Sequence, residues 1–193
     1  MTKRGVPGPG VWAAMKEIEV KIVGIDRERV EASLSSLGAS KIFDGYVETV
    51  FFDLPDKSLT AGKNLLRLRK IGDETTLTLK KFIQDDVAKV SDEYEVNVSK
   101  IETMRLILES LGLLPILRME KHRISYALRS GVRVDLDKYT GEFSHIPDLI
   151  EIEGGDVETI RAHVKLLGFK PEDCNSWSTF DLVDFFSRKK VES

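Results

Sequence analysis

In Glu17-Ile18-Glu19-Val20-Lys21-Ile22 every second residue is aliphatic and every other one is charged. Successive side chains take opposite faces only along an extended chain, so the spacing predicts a strand with one apolar and one ionic face. The pattern returns in Leu66-Arg67-Leu68-Arg69, Thr76-Leu77-Thr78-Leu79-Lys80, Glu93-Tyr94-Glu95-Val96 and Lys121-His122-Arg123-Ile124-Ser125-Tyr126. It returns again in Arg133-Val134-Asp135-Leu136-Asp137 and Ile150-Glu151-Ile152-Glu153. Between these runs, helical spacing predicts helices over Asp26 to Leu37, Ile101 to Leu111 and Asp156 to Leu167. Asp26 is the expected N-cap of the first, and Gly38, Gly112 and Gly168 are the expected stops. A last amphipathic stretch runs from Asp181 to Arg188.

Two architectures satisfy this pattern. One is an antiparallel sheet with its ionic face in water and helices over the other face. The other is a sheet curled into a closed barrel, with the charged face inward and helices on the aliphatic outside. The strands specialise by sign, and same-sign neighbours on one face repel, which a merely solvated surface has no reason to favour. An inward face would gather eight carboxylates (Glu17, Glu19, Glu93, Glu95, Asp135, Asp137, Glu151, Glu153) and seven cations (Lys21, Arg67, Arg69, Lys80, Lys121, Arg123, Arg133). So many ions can be buried only if they are paired or hold a charged ligand. Arginine pairs suit phosphate oxygens, and carboxylate pairs suit a hard divalent cation. A metal–polyphosphate complex offers both partners at once.

Composition narrows the function classes. A chain of 193 residues is enough for one sizeable domain. Acidic residues outnumber basic ones 32 to 29, which argues against a general nucleic-acid binder. No apolar run approaches the ~20 residues of a membrane span, so no membrane partner is expected. The single cysteine, Cys174, excludes an internal disulfide and a cysteine zinc cluster, and a cytoplasmic location is expected. Met1 to Ala14, with Pro7, Pro9 and three glycines, reads as a flexible extension with Met15 as an alternative start; residues 15–193 read as a single domain. His122, His145 and His163 lack metal-ligand spacing, Gly62-Lys63 lacks the glycine spacing of a P-loop, and Trp177 reads as a packing anchor.

Glu17-Ile18-Glu19-Val20-Lys21 matches the Glu-x-Glu-x-Lys signature of the CYTH family, the triphosphate tunnel metalloenzymes. The chain resembles that family from about Lys16 to Val183. The likeness includes Leu66-Arg67-Leu68-Arg69, the run ending at Lys80, Glu93-x-Glu95, Lys121-x-Arg123, Leu136-Asp137 and Glu151-x-Glu153. The resemblance implies an α+β fold: a closed eight-stranded antiparallel β-barrel with a charged interior that binds triphosphate and Mg2+ or Mn2+, and helices packed outside. It puts Glu17, Glu19, Asp137, Glu151 and Glu153 at metal positions. Lys21, Arg67, Arg69, Lys80, Lys121 and Arg123 fall at phosphate positions. Glu17, Glu19 and Lys21 would serve catalysis, with Glu93, Glu95, Arg133 and Asp135 in support.

The implied substrate is a small triphosphate compound: inorganic triphosphate, ATP or thiamine triphosphate. The leading activity is a divalent-metal-dependent triphosphatase releasing the terminal phosphate. Alternatives are a class IV adenylyl cyclase and a non-catalytic polyphosphate binder; a homodimer is compatible with any of them. Three departures bear on the organic half of the substrate. Thr49, or a shifted Glu48, stands where family members often carry an acid. Ser178-Thr179 replaces a frequent Ser-Tyr, and the segment from Tyr139 to Asp148 is longer than the usual turn.

Overall fold

The computed structural model describes residues 15–84 and 88–192, so the expected extension over residues 1–14 lies outside the described residues. In chain order the elements are β1 (Met15–Val23), α1 (Arg27–Ser36), β2 (Ser40–Asp53), α2 (Ser58–Ala61), β3 (Asn64–Ile71), β4 (Glu74–Gln84) and β5 (Lys89–Asn97). Then follow α3 (Ile101–Ser110), β6 (Leu114–Ala127), β7 (Arg133–Tyr139), β8 (Leu149–Glu153), α4 (Val157–Leu166) and α5 (Thr179–Glu192).

The eight strands close into a barrel in the order β1-β5-β4-β3-β2-β6-β7-β8, with every neighbouring pair antiparallel. Closure removes the unpaired edges of an open sheet. It also fixes β2 four strands away from β1 in either direction, so these two strands face each other across the interior.

The alternation decides which face points where. On β1 and β8, Ile18, Val20, Ile22, Ile150 and Ile152 point outward and are buried beneath α1 and α4, together with Val30, Leu34, Ile160 and Val164. Each such side chain contributes about 1.5–3 kcal/mol of burial. A second outer core joins Leu68 and Phe52 to Leu108 of α3. At one end of the barrel, the inward-facing Phe51, Met119 and Tyr139 join Phe143, Ile146 and Leu149 around Leu182 of α5. The aliphatic outside is therefore a helix-covered core, and the ionic face lines the interior.

The predicted caps hold. The Asp26 carboxylate accepts from the Arg29 backbone N–H at 3.1 Å, and Asp156 does the same for Thr159 at 2.7 Å. Gly38 and Gly168 end α1 and α4 with φ of +70° and +82°, where a side chain would be strained. Two features differ from expectation. The last helix is longer than Asp181 to Arg188, and a short helical turn, α2, follows β2. The long Tyr139 to Asp148 segment folds through a 3-10 turn at Gly141–Phe143 that delivers Phe143 and Ile146 beneath α5. The extra length thus builds the apolar stopper at one end of the barrel.

Candidate functional site

The acidic side of the interior comes from β1 and β8. Their register sets Glu19 beside Glu153 and Lys21 beside Glu151. Lys21, only 2% exposed, donates to Glu19 at 2.6 Å and stands 3.4 Å from Glu151. Burial opposes its charge, but Glu151 and Glu19 outweigh it and raise its pKa. Lys89 reaches Glu19 from β5 at 2.9 Å, and Lys80 bonds Glu17 from β4.

A cationic arc faces this side from β3, β4 and β6. Arg67 pairs with Glu93 at 3.2 Å, and Arg69 pairs with Glu95 at 3.4 Å. Glu95 also accepts from Thr78 at 2.7 Å. The Nε atoms of both Arg67 and Arg69 are buried with no hydrogen-bond partner among the described residues. A buried donor left unmade costs about 1–3 kcal/mol, so two on adjacent inward positions mark a place built for an absent acceptor. Burial, then repulsion from Arg67 and Arg123, lowers the Arg69 pKa to about 10. Burial and neighbouring cations likewise lower Lys80, beside Arg67, and Lys121, beside Arg123.

Arg123 is different. Its Nε and Nη2 hold both oxygens of Asp137 at 2.7 and 2.5 Å, Nη1 holds Asp135 at 2.5 Å, and Nη2 also reaches Glu151 at 2.5 Å. Lys121 adds a 2.5 Å bond to Asp137. Arg133 bridges Asp135 and Glu153.

Eleven charged side chains line the lumen: Glu17, Glu19, Lys21, Arg67, Arg69, Lys80, Lys89, Lys121, Arg123, Arg133 and Glu151. The free volume between them is about 50 Å3, room for little more than a water or two. Glu93, Glu95, Asp135, Asp137 and Glu153 stand outside that lining set and grip its cations. The candidate site residues read from the sequence thus gather around one lumen in several ion-pair groups, with Asp137 and Glu153 behind its lining. Sequence reasoning passed over Lys89, although Lys89-x-Ser91-x-Glu93-x-Glu95 extends the same alternation backward from Glu93.

The strand opposite β1 is uncharged inside. Val47, Thr49 and Phe51 line the lumen from β2, while Glu48 points outward to Arg118 at 2.6 Å. Thr49 therefore fills the slot left open in the sequence. His122 faces outward to Asp44 at 3.1 Å, and Trp177 packs on Phe185 with ring centroids 4.8 Å apart.

The carboxylates have the chemistry of a hard-cation site. Glu153 has a raised pKa: burial and repulsion from Glu17 and Glu19 outweigh the pull of Arg133. Burial opposes the charge of Glu19, and so does Glu151, but Lys21 and Lys89 outweigh them and hold its pKa low. Clustered carboxylate oxygen donors suit Mg2+ or Mn2+. Among the described residues, no three acidic, histidine or cysteine side chains already stand together as a cage. Glu17 and Glu19 would have to release lysines to take a cation.

Comparison with known proteins places this geometry. A Methanocaldococcus jannaschii protein named as a candidate adenylate cyclase is 27% identical over 127 residues, covering 66% of this chain and 72% of its own. A Pyrococcus horikoshii structure superposes with a TM-score of 0.73 at 26% identity, covering 86% of this chain and 98% of that one. A Hippeastrum adenylyl cyclase candidate, described as having a dominant triphosphatase activity, shares the fold with a TM-score of 0.64 at 16% identity, covering 90% of this chain and 96% of its own. The family model of the CYTH domain matches residues 15–167, all eight strands of the barrel and four of the five helices. The chain belongs to the CYTH domain family.

Proposed function

We propose that this protein is a divalent-metal-dependent triphosphatase that binds a small triphosphate in the barrel and releases its terminal phosphate. The observation that carries the reading is the pair of buried guanidinium Nε groups on Arg67 and Arg69 that have no hydrogen-bond partner among the described residues, set in an arc of close cations. A planar guanidinium presents parallel donors to phosphate oxygens, and two on alternate strand positions span adjacent phosphates. Lys80, Lys89 and Lys121 add point charges along the same lumen. Glu93 and Glu95 orient Arg67 and Arg69 from behind.

Glu17, Glu19 and Glu151 would hold the Mg2+ or Mn2+ that the family uses, with Glu153 and Asp137 shaping the charge around them. When bound, such an ion neutralises phosphate charge and activates water. Phosphoryl transfer needs positioning and charge neutralisation more than a protein nucleophile, and this lumen is built of the groups that do both. Simple anion binding would have no use for the acidic side, which argues against a non-catalytic polyphosphate binder.

Cyclisation of ATP is the second reading, favoured by the name of the Methanocaldococcus jannaschii relative. Incubation with Mg2+ or Mn2+ and inorganic triphosphate, thiamine triphosphate or ATP, followed by product identification, separates the readings. Phosphate release is the expected result. Pyrophosphate with cyclic AMP would establish the cyclase, and no product would leave a binding protein.

A further inference from the structure

Three lysines hold the two carboxylates of β1: Lys80 on Glu17, and Lys21 with Lys89 on Glu19. They differ in what each has left once that carboxylate is taken away. Lys21 keeps Glu151 at 3.4 Å, and Lys80 keeps Glu93 at 3.6 Å. Lys89 bonds Glu19 at 2.9 Å and has no second carboxylate in ion-pair reach among the described residues. Its side chain is buried, so losing Glu19 would leave an unpaired ammonium in the interior, a costly state.

Lys89 also stands at a seam. It opens β5 directly opposite Glu19, and pairing between β1 and β5 ends at that pair. Two residues further along β1, the backbone of Lys21 bonds Asn175 instead, at 2.8 and 2.7 Å. A cavity of about 370 Å3 adjoins the lumen at this seam, and Lys89 lines both spaces. A lysine is a point charge on a flexible four-carbon stem, so this ammonium can leave Glu19 without any movement of the strand. The lumen alone, with about 50 Å3 free, has little room for that swing, and the adjoining cavity supplies it.

We propose that Lys89 couples the two ligands of the lumen: in the free protein its ammonium occupies Glu19 in place of a divalent cation, and it passes to the polyphosphate when Glu19 takes one. The inference rests on the triphosphate reading above and deepens it by assigning the exchange to one side chain. A cation binding alone carries the cost of stranding Lys89. A cation binding together with polyphosphate does not, because a phosphate oxygen becomes the new partner of the ammonium. That difference is a positive coupling free energy between the two ligands. Lys21 and Lys80 contribute less to it, since each already has a second carboxylate to fall back on.

The test is calorimetric titration of Mn2+ and of imidotriphosphate, an analogue whose P–N–P bridges resist hydrolysis, each alone and each into protein saturated with the other. Association of Mn2+ with the analogue in solution is measured separately and subtracted. Lys89→Met should bind Mn2+ alone several-fold more tightly than the parent, and the analogue more weakly. The coupling between the two should fall about tenfold, within the ordinary range for linked sites. Lys89→Gln, equally uncharged, should do the same, and in both variants Glu19 keeps Lys21, so the fold should hold. Lys80→Met should weaken the analogue but lower the coupling less, because Glu93 already shares that ammonium. A merely structural lysine would not tighten Mn2+ on removal. If neither Lys89 variant tightens Mn2+, or if the coupling keeps its parent value or falls equally in Lys80→Met, the assignment is overturned while the triphosphate lumen stands. If the parent protein binds neither Mn2+ nor the analogue, the lumen reading itself fails.

Discussion

Arg123 and Asp137 form a buried two-point pair across β6 and β7, with Nε to Oδ1 at 2.7 Å and Nη2 to Oδ2 at 2.5 Å. Asp135 and Glu151 take the remaining guanidinium edges. Arg123 therefore has every face occupied, whereas Arg67 and Arg69 each keep a buried free donor. The two kinds of arginine should respond differently to mutation.

Arg123→Ala should destabilise the protein by about 3–5 kcal/mol, because it takes a shared guanidinium from three carboxylates in a low-dielectric interior. Arg67→Ala and Arg69→Ala should change stability little and lower triphosphate affinity by roughly ten- to a hundredfold, as expected for lost hydrogen bonds to a charged group. Denaturant unfolding and ligand titration of the three variants check this. Loss of affinity in the Arg123 variant alone, with its stability intact, would reverse the assignment.

The acidic side should divide in the same way. Glu19→Gln leaves Lys21 and Lys89 without their shared carboxylate and should cost about 3 kcal/mol in the metal-free protein. Glu153→Gln removes a group already pushed toward its neutral form by burial, Glu17 and Glu19, and should be close to neutral. Both variants should show a weaker thermal response to Mn2+ than the parent. Equal stability losses would mean that the carboxylates are not sharing lysines unevenly.

Asp53 gives a pH signature outside the lumen. Burial works to raise its pKa, but the Thr60 hydroxyl and three backbone donors outweigh it and hold it below the ordinary 3.8. A folded-state pKa below the unfolded one gives stability that is complete above the unfolded value and lost as pH falls through the folded value. Asp53→Asn should therefore lower the melting temperature at pH 7, by a loss of about 1–3 kcal/mol. The gap should narrow on acidification below 3.8. A gap independent of pH would show that shape, not charge, makes the contribution.

Leu182 is fully buried where α5 closes one end of the barrel among Phe51, Met119 and Tyr139. Leu182→Ala should cost about 2–5 kcal/mol by leaving a cavity that the rigid barrel cannot collapse around. A change under 1 kcal/mol, judged by the same principle in a denaturant curve, would mean that α5 is not an integral stopper.

The inward sets were legible because period two is local: Glu17 and Glu19, or Arg67 and Arg69, declare their shared face without any partner in view. Helix caps such as Asp26 were legible for the same reason. Which ion meets which was not, because it depends on register between distant strands. Nothing near Arg123 in the chain announces that Asp135, Asp137 and Glu151 will surround it, and nothing near Lys89 announces Glu19. The last helix read as amphipathic from Leu182, Phe185 and Phe186, but its docking place was set by Phe51, Met119 and Tyr139 on other strands.

The central claim is that the interior ions, paired to one another in the free protein, exchange those partners for a metal and a polyphosphate. With only about 50 Å3 free, a triphosphate cannot enter without breaking ion pairs, Glu17 and Glu19 must release lysines to hold a cation, and each ligand leaves the other's partners unpaired. Together they satisfy both sides and neutralise each other, so binding should be positively coupled. The direct measurement is a set of thermal melts with chelator, with Mg2+ or Mn2+, with triphosphate, and with both. Ligands that prefer the native state raise the melting temperature by mass action. The account predicts a shift with both ligands larger than the two separate shifts combined. Four coincident curves, or shifts that merely add, would contradict it.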